Sequence, residues 1–189
     1  MATETEVKLR LPDGAAAVRG LLDRMGYYSQ GSRELEVNQL YDHGGELQAS
    51  DRVLRLRSFG EKWTITYKGP AVEGPHKSRE ELELHIDDGL AMEQILRALG
   101  YRPEFRYEKY RTIFERLGEP GVIMLDETPM GDFLELEGLG EWIDRTTLEL
   151  GYLTKDYILS TYPELYEEYR KKHPSLPHNM VFLQIDGTP

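Results

Sequence analysis

The stretch TETEVKLRL, residues 3–11, decides how this chain folds. Read as a β-strand, it alternates between two faces. Thr5, Val7, Leu9 and Leu11 fall on one face, and Glu4, Glu6, Lys8 and Arg10 fall on the other. The first face is built to pack on a core. Four charges of both signs on the second are either the solvated side of a half-exposed strand or the lining of a polar interior. For one strand alone, solvent is the ordinary reading, so the rest of the chain has to decide.

The alternation recurs. DRVLRLRSF (51–59) sets Arg55 and Arg57 against Leu54 and Leu56. KWTITYKG (62–69), joined to it through the turn signal Gly60-Glu61, sets Lys62, Thr64, Thr66 and Lys68 against Trp63, Ile65 and Tyr67. SREELELHI (78–86) aligns Arg79, Glu81, Glu83 and His85 opposite Leu82, Leu84 and Ile86. RPEFRYEKYRTIFERL, rich in aromatic and β-branched residues, reads as a long strand with Lys109 and Arg111 on one face. PGVIMLDETPMGDFLELEG (120–138) reads as a hairpin turning at Thr-Pro-Met-Gly, with Asp126 on the face of Met124, and Glu135 and Glu137 facing away from Leu134 and Leu136. With ELEVNQLYD (34–42) the count is eight strands. Helical patterns follow the first strand (PDGAAAVRGLLDRMGY) and the fifth (DDGLAMEQILRALGY), and occupy most of the chain from 139 onward, interrupted near Pro163. Strands grouped in hairpins with few intervening helices give an antiparallel α+β fold, and eight strands are enough to close a barrel.

The helices must bury their apolar stripes, and the apolar strand faces are the surface available. That leaves the charged faces pointing at one another if the sheet closes. The charges also sort by strand: acids dominate the first, fifth and eighth, and bases dominate the third, fourth and sixth. Lining a cavity with acids and bases is costly unless they are paired or a ligand completes them. A polyphosphate carrying a metal is such a ligand, since Arg and Lys take phosphate oxygens while carboxylates hold Mg²⁺ or Mn²⁺.

The totals agree. A chain of 189 residues with net charge −11 reads as one domain unsuited to general nucleic-acid or anionic-membrane binding. The absence of cysteine excludes disulfides, thiol nucleophiles and thiolate metal sites. With no span-length apolar run, and a charged motif beginning at residue 4, a cytoplasmic location is expected. Trp63 and Trp142 read as packing residues. The run Tyr152, Tyr157, Tyr162, Tyr166, Tyr169 fits either a helix laid over a tunnel mouth or a homodimer contact.

Glu4-Thr5-Glu6-Val7-Lys8 resembles the ExExK signature of the CYTH superfamily, named for class IV adenylyl cyclase and thiamine triphosphatase and also called the triphosphate tunnel metalloenzymes. The resemblance continues through NQLYD (38–42), LRLR (54–57), TYKGP (66–70), KSREELEL (77–84), EKYR (108–111), LDETPMGDFLELEG (125–138) and KDYILSTY (155–162). The His-Phe found upstream of ExExK in bacterial inorganic triphosphatases is absent, and TYKGP with REELEL is closer to the class IV cyclase-like branch. The resemblance implies a closed eight-stranded antiparallel barrel, a tunnel with helices packed outside: a tunnel domain over 1–152, a C-terminal helical segment over 153–173, and an irregular tail over 174–189. It implies Mg²⁺ or Mn²⁺ held by Glu4, Glu6, Glu135 and Glu137, assisted by Asp126, with Glu81 and Glu83 on the central charged strand. It implies a triphosphate (tripolyphosphate, thiamine triphosphate or ATP) held by Lys8, Arg55, Arg57, Lys68, Arg79, Lys109 and Arg111, with Lys155 reaching in from the C-terminal segment. Glu4, Glu6, Lys8, Asp126 and Glu135 are the implied catalytic group. The implied activity is hydrolysis of a triphosphate, with cyclic AMP formation from ATP as the alternative and a non-catalytic polyphosphate binder as a third reading.

Overall fold

The computed structural model describes residues 2–72 and 74–183. Nine strands form one sheet: β1 (Ala2–Arg10), β2 (Tyr28–Ser29), β3 (Glu34–Asp42), β4 (Val53–Phe59), β5 (Lys62–Lys68), β6 (Lys77–Ile86), β7 (Arg102–Glu115), β8 (Val122–Thr128) and β9 (Gly131–Glu137). The order β7-β3-β4-β5-β6-β1-β9-β8, closed by pairing of β8 with β7, is an eight-stranded antiparallel barrel; β2 is a two-residue addition on β7. The helices are α1 (Gly14–Arg24), α2 (Glu46–Ala49), α3 (Gly89–Ala98), α4 (Gly140–Glu149) and α5 (Tyr162–Lys172).

The barrel is built inside out. Val7, Leu9, Ile123, Leu125, Leu134 and Leu136 point outward, yet are at most 1% exposed, because α1 (Val18, Leu22) and α4 (Trp142, Ile143) cover them. Each such side chain contributes about 1.5–3 kcal/mol of transfer free energy. A second shell forms where Met92 and Leu96 of α3 pack over Tyr41, Leu54, Leu56, Trp63 and Ile65. Trp63 lies so close to Gly89 that a Cβ there would sit 2.1 Å from the indole, and Trp142 presses on Gly121 in the same way. Both tryptophans are packing residues. The outer face of β6 is the exception: Leu82 and Leu84 are 51% and 62% exposed.

The C-terminal segment closes one end. Ile158 exchanges two backbone hydrogen bonds with Lys8, on the edge that β1 leaves free beyond its pairing with β6. α5 then crosses the opening, and Met180 joins the edge of β7 at Tyr107. Tyr162, Tyr166 and Met180 pack with Tyr107, Met130 and Phe133 as the plug's apolar contact. Pro163 does not interrupt this helix. It sits in the first turn, where no intrahelical N–H is needed, beside a capping box formed by Thr161 and Glu164. Of the tail read as irregular over 174–189, residues 184–189 lie outside the described residues, and 174–183 run back along the barrel without helix or strand.

Candidate active site

Strand register sets the lining of the tunnel two residues at a time. Glu4 lies opposite Arg79 and Glu6 opposite Lys77 across β1–β6; Lys8 lies opposite Glu135 and Glu6 opposite Glu137 across β1–β9. Lys68 faces Glu81, Glu36 faces Lys109, and Arg111 faces Asp126. Apart from Glu36 and Asp126, which stand behind the lining, these side chains surround a cavity of about 1130 Å³, bordered on the side of α5 by Leu40, Leu54, Phe105 and Tyr166.

The β7–β8–β9 side is saturated. Lys109 Nζ donates to Asp126 at 2.7 Å and lies 3.4 Å from Glu36 and 3.6 Å from Glu135. Arg111 grips Asp126 through Nε and Nη2, both at 2.7 Å, and also contacts Glu135. Tyr162 donates its hydroxyl to Asp126 at 2.7 Å and lays its ring 4.6 Å from the Lys109 ammonium. Lys8 Nζ sits 3.1 Å from both Glu6 and Glu135. Burial alone would raise these carboxyls, but Arg111 and Lys109 hold Glu36 well below the usual range, and Lys109, Lys8 and Arg111 do the same for Glu135.

The β4–β5–β6 side is looser. Arg55 is 3.7 Å from Glu81 and 3.8 Å from Glu83, beyond good hydrogen bonds, and among the described residues its Nε has no partner. Arg57 bonds Glu83 at 2.9 Å, and Lys68 bonds Glu81 at 2.8 Å and also Glu4.

Between the two sides lies an acid corner. Burial, the neighbouring Glu81 and repulsion from Glu6 outweigh Lys68 and push the Glu4 carboxyl up to about 8, so Glu4 keeps its proton at neutral pH. Glu137 is pushed up by burial and by repulsion from Glu6 and Glu81. Glu6 goes the other way, to about 2: burial would raise it, and the Lys8 ammonium prevails. Four carboxylates crowded at the cost of a trapped proton are a donor set of the kind that hard cations such as Mg²⁺ and Mn²⁺ take. Among the described residues no three acidic or histidine side chains already surround a single point.

A family model for the CYTH domain matches residues 2–159. The chain belongs to the CYTH family. A "putative adenylate cyclase" of Methanocaldococcus jannaschii is 31% identical over 137 residues, covering 71% of this chain and 75% of that protein. Among solved structures, a "putative adenylate cyclase" of Vibrio parahaemolyticus superposes with TM-score 0.76 at 20% identity, covering 87% of this chain and 97% of that one. A Hippeastrum protein described as a putative adenylyl cyclase with a dominant triphosphatase activity superposes at 0.64 with 18% identity, covering 89% and 96%. The structural likenesses speak to the fold.

Within this CYTH barrel the structure brings most of the expected residues to the cavity. Glu4, Glu6, Glu81 and Glu137 line the acid corner; Lys8, Arg55, Arg57, Lys68, Arg79, Lys109 and Arg111 line the walls. Four expectations change. Asp126 is fully buried behind the lining, its carboxylate engaged by Lys109, Arg111 and Tyr162, so it orients those side chains and does not reach the cavity where a metal would sit. Glu135 reaches the cavity but is ringed by three cations, an environment that disfavours adding a fourth. Glu83 turns toward Arg57 and away from the acid corner. Lys155 lies exposed on the 3₁₀ turn Thr154–Asp156, outside the lining, because the chain reaches the barrel mouth only from Ile158 onward; Tyr162 reaches the interior from that segment instead. The sequence reading also passed over Glu36 and Lys77. The period of two in ELEVNQLYD puts Glu36 on the inner face with Asn38, and that signal was sufficient. Asp51 reaches the site through a tertiary contact that leaves no local signal, and the tyrosine run offers Tyr162 over a tunnel mouth as one of two readings without showing its contact to Asp126.

Proposed function

We propose that this CYTH protein is a metal-dependent hydrolase of a triphosphate held in the tunnel, in the cytoplasm. The observation that carries this is the division of the lining: cations with incomplete partners on β4–β5–β6 face an acid corner that retains a proton. Arg55, Arg57 and Lys68 take phosphate oxygens, exchanging long or shared carboxylate contacts for charge-assisted ones. Lys109 and Arg111, fixed by Asp126, Glu36 and Tyr162, form a rigid positive wall that cannot follow the ligand and so fixes its position. Mg²⁺ or Mn²⁺ held by Glu4, Glu6, Glu81 and Glu137 would supply charge neutralisation and Lewis acidity there. In hydrolysis, water attacks the terminal phosphorus and the bond to the bridging oxygen breaks; the attacked group becomes orthophosphate, the remaining diphosphate leaves with the electron pair and meets Lys8 and the arginines, and the proton shed by water passes to solvent.

The name of the archaeal relative, together with a cavity much larger than three phosphates, supports a second reading: a class IV cyclase, in which the ribose 3′-hydroxyl of ATP attacks the α-phosphorus and pyrophosphate leaves. Product analysis separates the two. The purified protein is given Mg²⁺ or Mn²⁺ with tripolyphosphate, thiamine triphosphate or ATP. Orthophosphate, lost in Glu137→Gln, supports the hydrolase; cyclic AMP with pyrophosphate from ATP replaces it by the cyclase; tight binding without turnover leaves a polyphosphate binder.

A further inference from the structure

Arg79 is paired unlike the other buried arginine of the lining. It is 4% exposed, and among the described residues its Nε has no hydrogen-bond partner. Register places it opposite Glu4, yet the carboxylate it bonds is Asp51, which belongs to the β3–β4 connection at the tunnel mouth. Both Asp51 oxygens address one nitrogen, Nη2, at 3.1 and 3.4 Å. Arg111, by contrast, meets Asp126 side-on through Nε and Nη2 at 2.7 Å each. One guanidinium is satisfied and the other is only occupied.

Asp51 differs from Asp126 in every respect that governs release. Its side chain is 59% exposed, so it can turn into water without a burial penalty. Among the described residues it is the one non-glycine with a positive φ, at 51°, a conformation Asp and Asn tolerate better than other side chains but still at a cost. Its Oδ2 also accepts the Ala71 N–H at 2.6 Å, so a single carboxylate links two connections of the mouth to Arg79.

We propose that Asp51 is a built-in occupant of a phosphate subsite: it holds the fork of Arg79 until a ligand arrives, and an incoming phosphate group displaces it. Carboxylate and phosphate oxygens compete for the same guanidinium geometry, and a phosphate can engage the free Nε that Asp51 leaves unused. Asp51 therefore weakens ligand binding, and its removal strengthens it. This rests on the triphosphate reading of the tunnel.

The test is Asp51→Asn, which keeps an acceptor for Ala71 N–H and tolerates the left-handed backbone while removing the charge. Tripolyphosphate binding is measured by calorimetry in EDTA, and KM is measured with Mg²⁺. Asp51→Asn is expected to tighten binding about three- to fivefold, the upper part of the range for one exposed ion pair. In an Arg79→Gln background the same change is expected to alter affinity less than about twofold, since no fork remains to unmask. Thermal unfolding checks that Arg79→Gln folds; if it does not, Arg79→Lys replaces it, with the gain expected to fall by half or more. Equal gains in both backgrounds would mean a general field effect, and unchanged or weaker binding in Asp51→Asn would mean a structural role; either overturns the proposal. If neither wild type nor Asp51→Asn binds in either condition, the triphosphate reading fails and takes this proposal with it.

Discussion

Replacing Glu4 by Gln removes one carboxyl from the acid corner, and its effect on stability has a sign set by pH. In the folded protein that carboxyl titrates near 8, against an ordinary 4.5. Between those values the folded chain keeps a proton that the unfolded chain has released. Stability therefore falls as pH rises through this window and levels off above 8. The span corresponds to roughly 2 kcal/mol lost by pH 6 and about 5 kcal/mol by pH 9. Gln is neutral throughout, offers an N–H toward Glu81, and keeps a carbonyl oxygen for Lys68, so it reproduces the protonated side chain. Glu6 and Glu81, shifted downward, contribute with the opposite sign but act in both proteins. Urea unfolding in EDTA should give equal stabilities near pH 4, with Glu4→Gln the more stable by several kcal/mol at pH 9. Mg²⁺ should narrow the gap at pH 9 by stabilising the wild type. A difference that does not change with pH, or a variant less stable than wild type at pH 9, would refute the crowded-corner account.

Asp126→Asn leaves Lys109 and Arg111 short of a buried counter-charge and should cost about 3–5 kcal/mol in urea unfolding; a loss below 1 kcal/mol would mean that Glu36 and Glu135 suffice. Tyr162→Phe deletes one hydrogen bond to a buried carboxylate while keeping the ring, and should cost about 1.5–3 kcal/mol by the same assay. Glu137→Gln should leave the melting temperature equal or higher, because a repelled carboxyl is removed, while lowering kcat/KM for the true substrate about a hundredfold. Lys155→Ala should change neither stability by more than about 0.5 kcal/mol nor turnover by more than twofold, in keeping with an exposed side chain outside the lining.

The barrel was legible because its signal is local and repeated. Each strand declares two faces by itself, and the same inversion in strand after strand leaves the charges nowhere to go but inward. Arg55, Arg57, Lys68, Glu81 and Glu137 needed only the period of two. What could not be read was which charges pair across the lumen. Asp126 and Glu4 look alike in the sequence, as inward acids on strands, yet one is buried under four donated hydrogen bonds and the other, crowded by Glu6 and Glu81, is pushed up to about 8. That difference comes from strands β7 and β6, far away in the chain. Lys155 and Tyr162 illustrate the same limit. Seven residues apart in one segment, they differ because Ile158 pairs with Lys8 between them, and such a contact has no periodic trace.

Turning a barrel inside out separates stability from function in space. The apolar transfer free energy is collected outside, under α1, α3 and α4, so the lumen need not contribute to it. The lumen is then free to be unequal. The Asp126–Arg111–Lys109–Tyr162 wall satisfies its hydrogen bonds internally and gains nothing from moving, which makes it a fixed reference for a ligand. The opposite side and the acid corner hold unpaired Nε groups and a trapped proton, and so have free energy to gain from an anion and a cation together. Anion or cation alone meets charges of its own sign across a cavity of about 1130 Å³; the pair meets complementary charges at both places. A metal-bound polyanion is accordingly favoured over either component, and binding of the two should be strongly cooperative.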